Sequence, residues 1–468
     1  MTTLSSVMPL TRRTKVCVQG VGFAGAAMAI GLAEARDSRG QPVYDVYGIE
    51  RDSPRTQKFV DALNSGRFPH RSDDPDLERA TRRAHDADNL HAATDPAHYR
   101  DAEVVVISVN LDVAPLTIDG EPQLQPLRDA VTTLGATIPP DCLVLVECTV
   151  PPGTCRDLVV PLLAEGFARR GFTDVHPCVA HTYERVTPGP GYLASVTDQP
   201  RVYAADDTHA AERARRILTP LVADPARLRA LPSTIASETA KLLENTFRAV
   251  TIALMDEWSA QAETNGVDLF QVVDAIRERP THRNLRDPGL GVGGYCLTKD
   301  PVLATAGLPP EARRAAMPIT SGAVAVNRAM PLRAVERLVT HYGPLPGARV
   351  LLLGVTYRDG VGDTRHSPSA VVHDELRARG AHVVCHDPLA DDWPGVDAEL
   401  RRDLPCADSF DIVVLCVAHT AYRALDLPQW LNGATPLVYD TNHVLTPRQI
   451  AYLAGLDLPL LAVGRGDL

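Results

Sequence analysis

A chain of 468 residues is too long for one ordinary core, so two or three domains are expected, each able to bury its apolar surface without covalent staples. The formal net charge of −11 argues against nucleic acid or an anionic membrane as partner, since both demand basic patches, and leaves small molecules as ligands. Nine scattered cysteines, an odd number without CxxC or Cys/His spacing, suggest neither a disulfide framework nor a metal site and fit a reduced, cytoplasmic setting. Only four of the 47 basic residues are lysines (15, 58, 241 and 299), so each lysine marks a place where an ammonium is preferred to a guanidinium.

From residue 15 short apolar runs alternate with helical patterns: KVCVQG, FAGAAMAIGLAEAR, YDVYGIE, then EVVVISV and CLVLVECTV. The alternation predicts βαβ units around a parallel sheet, with RVYAA at 201–205 as its last strand. The stretch TRRTKVCVQGVGFAGAAMAIGLAEA has paired arginines and an uncharged run from Val16 to Ala33, the outline of a twin-arginine export signal. Gln19 and the glycines at 20, 22, 25 and 31 interrupt that run at functional spacing, so it reads as a strand and helix of the fold. No other uncharged apolar run is long enough to span a bilayer.

After Asp207 the pattern becomes helical, most clearly in SETAKLLENTFRAVTIALMDEWSAQAETNG with Asn265-Gly266 as its stop, and strands almost vanish until residue 349. So long a helical stretch either bridges domains or forms a dimer interface. The turn-rich GPLPG, Gly343 to Gly347, then opens a second alternating region: ARVLLLG, SPSAVVHDELRARG, HVVCHDP and DIVVLCVAH. The expected fold is α/β, two Rossmann-like doubly wound domains (1–208 and 331–468) joined by a helical middle domain (209–330).

Gly20-Val21-Gly22-Phe23-Ala24-Gly25 is GxGxxG directly between a strand and a helix, and Glu50 ends the next strand. The glycines give a tight turn and close pyrophosphate approach, the helix N-terminus meets negative charge, and the carboxylate binds a ribose diol. The bland alternative is a merely tight turn. Glu50 would repel a ribose phosphate, which favours NAD over NADP, while the adjacent Arg51 counts in the other direction. Thr149, in ECTVPPGT, falls at the C-terminal end of a strand, where open α/β sheets place ligands; a loop stiffened by Pro151 and Pro152 explains it equally. Lys241 and Asn245 share one helix face at i, i+4, with Glu238 and Arg248 beside them, either as a solvated polar stripe or as a site that needs a compact ammonium. Cys296 follows Gly289, Gly291, Gly293 and Gly294 and precedes Lys299 and Asp300. A lone cysteine is usually small core, but four glycines in six residues make poor core and a good cradle, and neighbouring cations favour a thiolate.

These residues carry a resemblance. In QGVGFAG, ECTVPPGT, YERVTPG, AKLLENTFR, PGLGVGGYC with KDP, and LGVTYRDGVGDTRHSP, in this order and over essentially its whole length, the chain resembles the nucleotide-sugar 6-dehydrogenases that act on UDP-glucose, UDP-N-acetylmannosamine or GDP-mannose. The resemblance implies NAD-dependent removal of two hydrides from C6 of a nucleotide-linked sugar, first to the aldehyde, then through a cysteine-bound hemithioacetal to a thioester that water hydrolyses to the uronic acid. It casts Cys296 as nucleophile, Asp300 as the group that activates water, Lys241 and Asn245 as stabilisers of the oxyanion, Glu184 as the active-site glutamate and Thr149 as a holder of the water. The cofactor set becomes Gly20, Gly22, Phe23, Ala24, Gly25, Glu50, Arg51, Thr149, Lys299 and Arg365. The substrate set becomes Glu184, Arg185, Lys241, Asn245, Gly291, Gly293 and Arg358, with the C-terminal domain taking the nucleotide and the helical middle forming a homodimer. Departures fall at the pocket edge: Asn110-Leu111 replaces the usual Pro-Thr, Tyr183 a common proline, and Arg358 a lysine. The Glu184-Arg185 pair leans toward N-acetylhexosamine substrates, and the anionic product suits envelope polysaccharide or glycosylated-metabolite synthesis. Two rival readings remain open at this level: a two-electron hydroxyacid-type dehydrogenase, which needs neither Cys296 nor a second Rossmann-like half, and a non-catalytic nucleotide-sugar-binding paralogue, which would be expected to lack the cysteine, lysine or aspartate.

Overall fold

The structure is a computed structural model that describes residues 12–72, 74–183 and 185–468. The chain divides into two compact units, one built from the residues up to Leu111 together with Gln123–Ala240, the other from Asp112–Pro122 and Lys241–Leu468.

The first unit holds eight strands: β1 (Thr14–Gln19), β2 (Tyr44–Ile49), β3 (Leu90–Ala93), β4 (Val104–Ile107), β5 (Leu143–Val146), β6 (Cys178–Tyr183), β7 (Arg201–Ala205) and β8 (Leu228–Leu231). Their order is β8-β7-β6-β5-β4-β1-β2-β3. All neighbours are parallel except β6 and β7, so the last two strands run against the other six. The expected last strand is therefore only the penultimate one. LRAL at 228–231 has two of four positions exposed, and its weak apolar signal hides an edge strand. Along the central strands alternate residues go to opposite cores: Val16, Val18, Val104 and Val106 to one, Cys17, Val105 and Ile107 to the other. Both faces are thus covered, which explains why these strands read as continuous apolar runs. The helix α1 (Phe23–Glu34) lies in the first core, buried from Gly25 to Ala33. The paired arginines upstream belong to the fold: Arg12 pairs with Glu103, and Arg13 donates to the Asp88 carbonyl at 3.0 Å. No helix among the described residues is long and apolar enough to cross a membrane.

Between the sheets the chain is helical, as its periodicity predicts. The principal helices are α2 (Thr234–Asn265), α3 (Cys296–Leu303) and α4 (Pro318–Tyr342). Gly266, with φ +67°, ends α2 in the left-handed conformation that glycine adopts without strain.

The second unit carries six parallel strands, β9 (Arg349–Leu353), β10 (His382–His386), β11 (Glu399–Arg401), β12 (Ile412–Leu415), β13 (Leu437–Asp440) and β14 (Leu460–Ala462), ordered β11-β10-β9-β12-β13-β14. Val350, Leu352, Ile412 and Val414 face one core and Leu351, Leu353, Val413 and Leu415 the other, the doubly wound arrangement again. Just past β10, the Asp387 carboxylate accepts from the Val355 and Thr356 amides (2.7 and 3.0 Å), from His419 Nε2 (3.1 Å) and from the Leu389 and Ala390 amides (2.8 and 3.1 Å). Burial alone would raise its pKa, but His419 and these amides overcome that and hold it at about 2.

A carboxyl held below its ordinary value of 3.8 stabilises the fold above that value, and the contribution is lost as pH falls toward about 2. At about 1.4 kcal/mol per pKa unit, Asp387 contributes on the order of 2 kcal/mol near neutrality. Asp387→Asn is expected to lower the thermal midpoint at pH 6, with the gap to the parent closing between pH 4 and 2; a gap independent of pH in calorimetric scans would show that the charge is not what stabilises.

Candidate active site

In the first unit, the central strand β1 has β2 on one side and β4 on the other, with Gln19 in register with both Ile49 and Ile107. The chain order reverses here, and the glycine-rich turn leaves at the C-terminal end of this strand, the place where open α/β sheets take ligands. A Cβ on Gly25 would lie 1.9 Å from the Gly20 carbonyl oxygen, so only glycine lets α1 start so close to the turn. A Cβ on Gly22 would meet nothing within 4 Å. Gly22 caps α1 without a side-chain hydrogen bond, and no acidic residue stands in the first turn, so the helix N–H groups face open space suited to an anion. Glu50 accepts the Val21 amide at 2.7 Å and its neighbour Arg51's amide at 3.2 Å. The loop is held from behind: Phe23 stacks on His70 at 4.4 Å between ring centroids, His70 Nε2 lies 3.0 Å from the Val21 carbonyl, and the Tyr192 hydroxyl donates to the Phe23 carbonyl at 2.7 Å. Ala24 is partly buried and Arg51 exposed. The open face at Gly22, the uncapped helix start and the Glu50 carboxylate fit a dinucleotide diphosphate and its ribose.

Thr149 follows β5 and is partly buried. The turn after it is fixed by Glu238, whose carboxylate accepts the Gly153 and Cys155 amides at 2.5 and 2.8 Å. Burial raises the Glu238 pKa, partly offset by these amides. Arg185 lies over the Tyr183 ring, 5.2 Å from its centroid, and donates to the Pro200 carbonyl. Glu184 lies outside the described residues.

The polar stripe of α2 is not solvated. Ser237, Glu238, Lys241, Asn245 and Thr246 are all buried, Lys241 and Asn245 to 5% and 4% exposure, while Arg248 alone of the stripe faces out. An amphipathic pattern with polar residues on the inside reads from sequence like its inverse, since periodicity gives a face but not its direction.

In the second unit Cys296 begins α3 with its side chain exposed, and one turn later Lys299 and Asp300 are buried. Asp300, fully buried, accepts from Lys299 Nζ at 2.7 Å on one oxygen and from Asn245 Nδ2 at 2.6 Å on the other. The structure thus brings Asn245, Asp300 and Lys299 together; Lys299, expected among the cofactor residues, directs its ammonium to Asp300. The carboxylate keeps further lone pairs for a water or substrate proton.

The four glycines before Cys296 have a reason the sequence reading did not give. Cβ atoms on Gly293 would come within 2.7 Å of Pro368 Cδ and 2.8 Å of Tyr357 Cβ, on Gly294 within 2.7 Å of the Tyr357 ring, and on Gly291 within 3.2 Å of the Asn327 carbonyl. They let the cysteine loop lie directly against the Tyr357 and Pro368 side chains and the Asn327 carbonyl, where side chains of its own would be excluded. The partner segment runs from Val355 into the helix α5 (Pro368–Ala378). It carries Arg358, whose carbonyl accepts from Thr356 Oγ1, and Arg365, whose guanidinium is held by Asp363 at 2.6 to 3.0 Å. Burial raises the Tyr357 hydroxyl pKa to about 12. Tyr357, Asp363 and Tyr295, all in contact with this loop, were not singled out by sequence, because nothing in their spacing distinguishes them from ordinary loop residues.

The sequence profiles of the UDP-glucose/GDP-mannose dehydrogenase family match the chain three times: its NAD binding domain at residues 14–222, its central domain at 235–329 and its UDP binding domain at 351–447. The UDP-N-acetyl-D-mannosamine dehydrogenase of Methanocaldococcus jannaschii is 28% identical over 457 residues, covering 96% of this chain and 97% of that protein. An NDP-N-acetyl-D-galactosaminuronic acid dehydrogenase of Ralstonia nicotianae is 26% identical over 93% of this chain and 97% of its own. Among solved structures, a UDP-glucose dehydrogenase from Pyrobaculum islandicum superposes with a TM-score of 0.79 at 26% identity, over 94% of this chain and 96% of that one. With all three domains matched in order, the chain belongs to the UDP-glucose/GDP-mannose dehydrogenase family, whose NAD-binding domain is its N-terminal part.

Proposed function

We propose that the protein oxidises C6 of a UDP-hexose or UDP-N-acetylhexosamine to the uronic acid, a four-electron reaction that passes through a thioester on Cys296. The observation that carries this reading is an exposed cysteine at the start of α3 followed, one turn on, by a buried aspartate clamped between Lys299 and Asn245. A two-electron dehydrogenase has no use for such a nucleophile.

NAD, when bound, accepts one hydride from C6 in each oxidation. Lys241 and Asn245, on one face of α2, stabilise the negative charge that develops on the C6 oxygen. The Cys296 sulfur adds to the aldehyde carbon, forming the carbon–sulfur bond of a hemithioacetal; loss of the second hydride and the hydroxyl proton leaves the thioester. Asp300 takes a proton from water as that water attacks the thioester, and the carbon–sulfur bond breaks to return the thiolate. Each sugar thus consumes one water and releases a carboxylate and two reduced nicotinamides. Arg365 reaches toward the cofactor and Arg358 toward the nucleotide, while Glu184, Arg185 and Thr149 complete the sugar side in this reading. The N-acetylated sugars in the names of the Methanocaldococcus and Ralstonia relatives, UDP-N-acetyl-D-mannosamine and NDP-N-acetyl-D-galactosaminuronic acid, support that branch over glucose. Self-association through the helical segment is supported by apolar side chains left in solvent there, Leu243 and Phe247 on α2 and Ile319 on α4 at 49%, 55% and 73% exposure.

A panel of UDP-sugars with NAD tests the reaction: the correct sugar yields two NADH per molecule with no free aldehyde, and a ratio of one with released aldehyde would sink the thioester route. Cys296→Ser should fold and bind NAD yet lose most turnover, even when aldehyde is supplied. Asp300→Asn should stall as a sugar adduct on Cys296 visible in the intact mass, and an unmodified, fully active variant would remove both assignments. Lys241→Ala should lower kcat by about 10²–10³-fold, the usual effect of losing one oxyanion donor. In sedimentation at micromolar concentration the active protein should run as a dimer, and Phe247→Asp should shift it to monomer.

A further inference from the structure

We propose that Tyr295, the residue before Cys296, is a positioning residue whose ring holds Arg365 and Lys299 in register with the cysteine; its effect on turnover rests on the reaction proposed above. Two cations share this one ring. Lys299 Nζ lies 4.9 Å from its centroid and Arg365 Cζ 5.0 Å. Cations are drawn to the electron-rich face of an aromatic ring, most strongly where water is partly excluded. Lys299 is fully engaged on its other side by Asp300, so its position relative to the ring follows from the clamp on that carboxylate.

Arg365 is different. Its side chain is 40% exposed, and its ion-pair partner, Asp363, sits two residues back in the same loop. That pair fixes the arginine to its own loop and leaves open where the loop stands relative to Cys296. Beside the packing of Gly293 and Gly294 against Tyr357 and Pro368, Arg365 itself joins the loop to the cysteine turn: the Gly294 amide donates to the Arg365 carbonyl at 3.1 Å, and the Tyr295 ring receives the guanidinium. The next residue, His366, has φ +51°, a left-handed conformation uncommon for a side chain other than glycine or asparagine, so the backbone itself turns sharply to present Arg365 in this direction. The result is a continuous sequence of charge contacts: Asn245, Asp300, Lys299, the Tyr295 ring, Arg365, Asp363. Tyr295 is the link that separates its two like charges, Lys299 and Arg365.

The role predicted for the ring is independent of its hydroxyl. Tyr295→Phe should therefore keep the parent's hydrogen-exchange protection of residues 358–368 in the unliganded protein and stay within about twofold in kcat. Tyr295→Leu, of similar bulk without a π face, should speed exchange in 358–368 and lower kcat about tenfold while the thermal midpoint stays close to the parent's. In an Arg365→Gln background, Tyr295→Leu should add no further loss. Tyr295→Met serves if the leucine variant fails to fold. The proposal is overturned if the leucine and methionine variants exchange like the parent, if phenylalanine is as damaging as leucine, or if the losses with Arg365→Gln simply add. Faster exchange in Tyr295→Leu, in a protein that makes no NADH from any nucleotide sugar, would sustain the positioning role and defeat the reaction.

Discussion

A buried carboxylate must be paired, or the fold bears the cost of an isolated buried charge. Asp300 is such a group, and its two partners dictate much of the second unit around it. Lys299 must reach it from within α3, which sets the first turn of that helix and so the exposed position of Cys296. Asn245 must reach it from α2, which forces a polar stripe into an otherwise apolar helix and fixes the rotation of α2 about its axis. Cys296, Asp300 and Asn245 are thereby placed by a single electrostatic requirement.

The two sheets use one device for two ends. Glu50 follows β2 and accepts the amide of Val21, in the loop after β1; Asp387 follows β10 and accepts the amides of Val355 and Thr356, in the loop after β9. The topology makes these positions equivalent. Asp387 is then saturated by His419 and two more amides and serves the fold, whereas Glu50 has two amide contacts and keeps lone pairs for a ribose. A degenerate Rossmann half keeps the carboxylate after it has changed the purpose.

Much of this architecture was legible from periodicity and punctuation. Strands buried on both faces announce themselves as apolar runs, Gly25 of the GxGxxG turn is confined to glycine by the Gly20 carbonyl five residues before it, and α2 stops where Asn265-Gly266 says it should. What escaped was set by distant partners. β8 has too little apolar content to be read alone, and it exists because β7 offers it an edge. The Glu238 stripe could be read either as surface or as a site, because its partners, the Gly153 and Cys155 amides, are some eighty residues away. The glycines before Cys296 read as a ligand cradle, while the Tyr357 ring and Pro368 that require them arrive from beyond residue 350. Cys296 and Asp300 were found through motif and family resemblance, whereas Tyr295, though inside the matching PGLGVGGYC, was given no role by it.

The sparing use of lysine has a practical side. Lys241 and Lys299 are buried, and the Lys15 ammonium is paired with Asp101 and lies over the Tyr47 ring, its side chain only 13% exposed. Lys58 is the one lysine side chain that stands open to solvent. Amine-directed reagents therefore meet a single ready lysine side chain besides the α-amine, and a dye or tether coupled at Lys58 would leave the two buried ammoniums untouched.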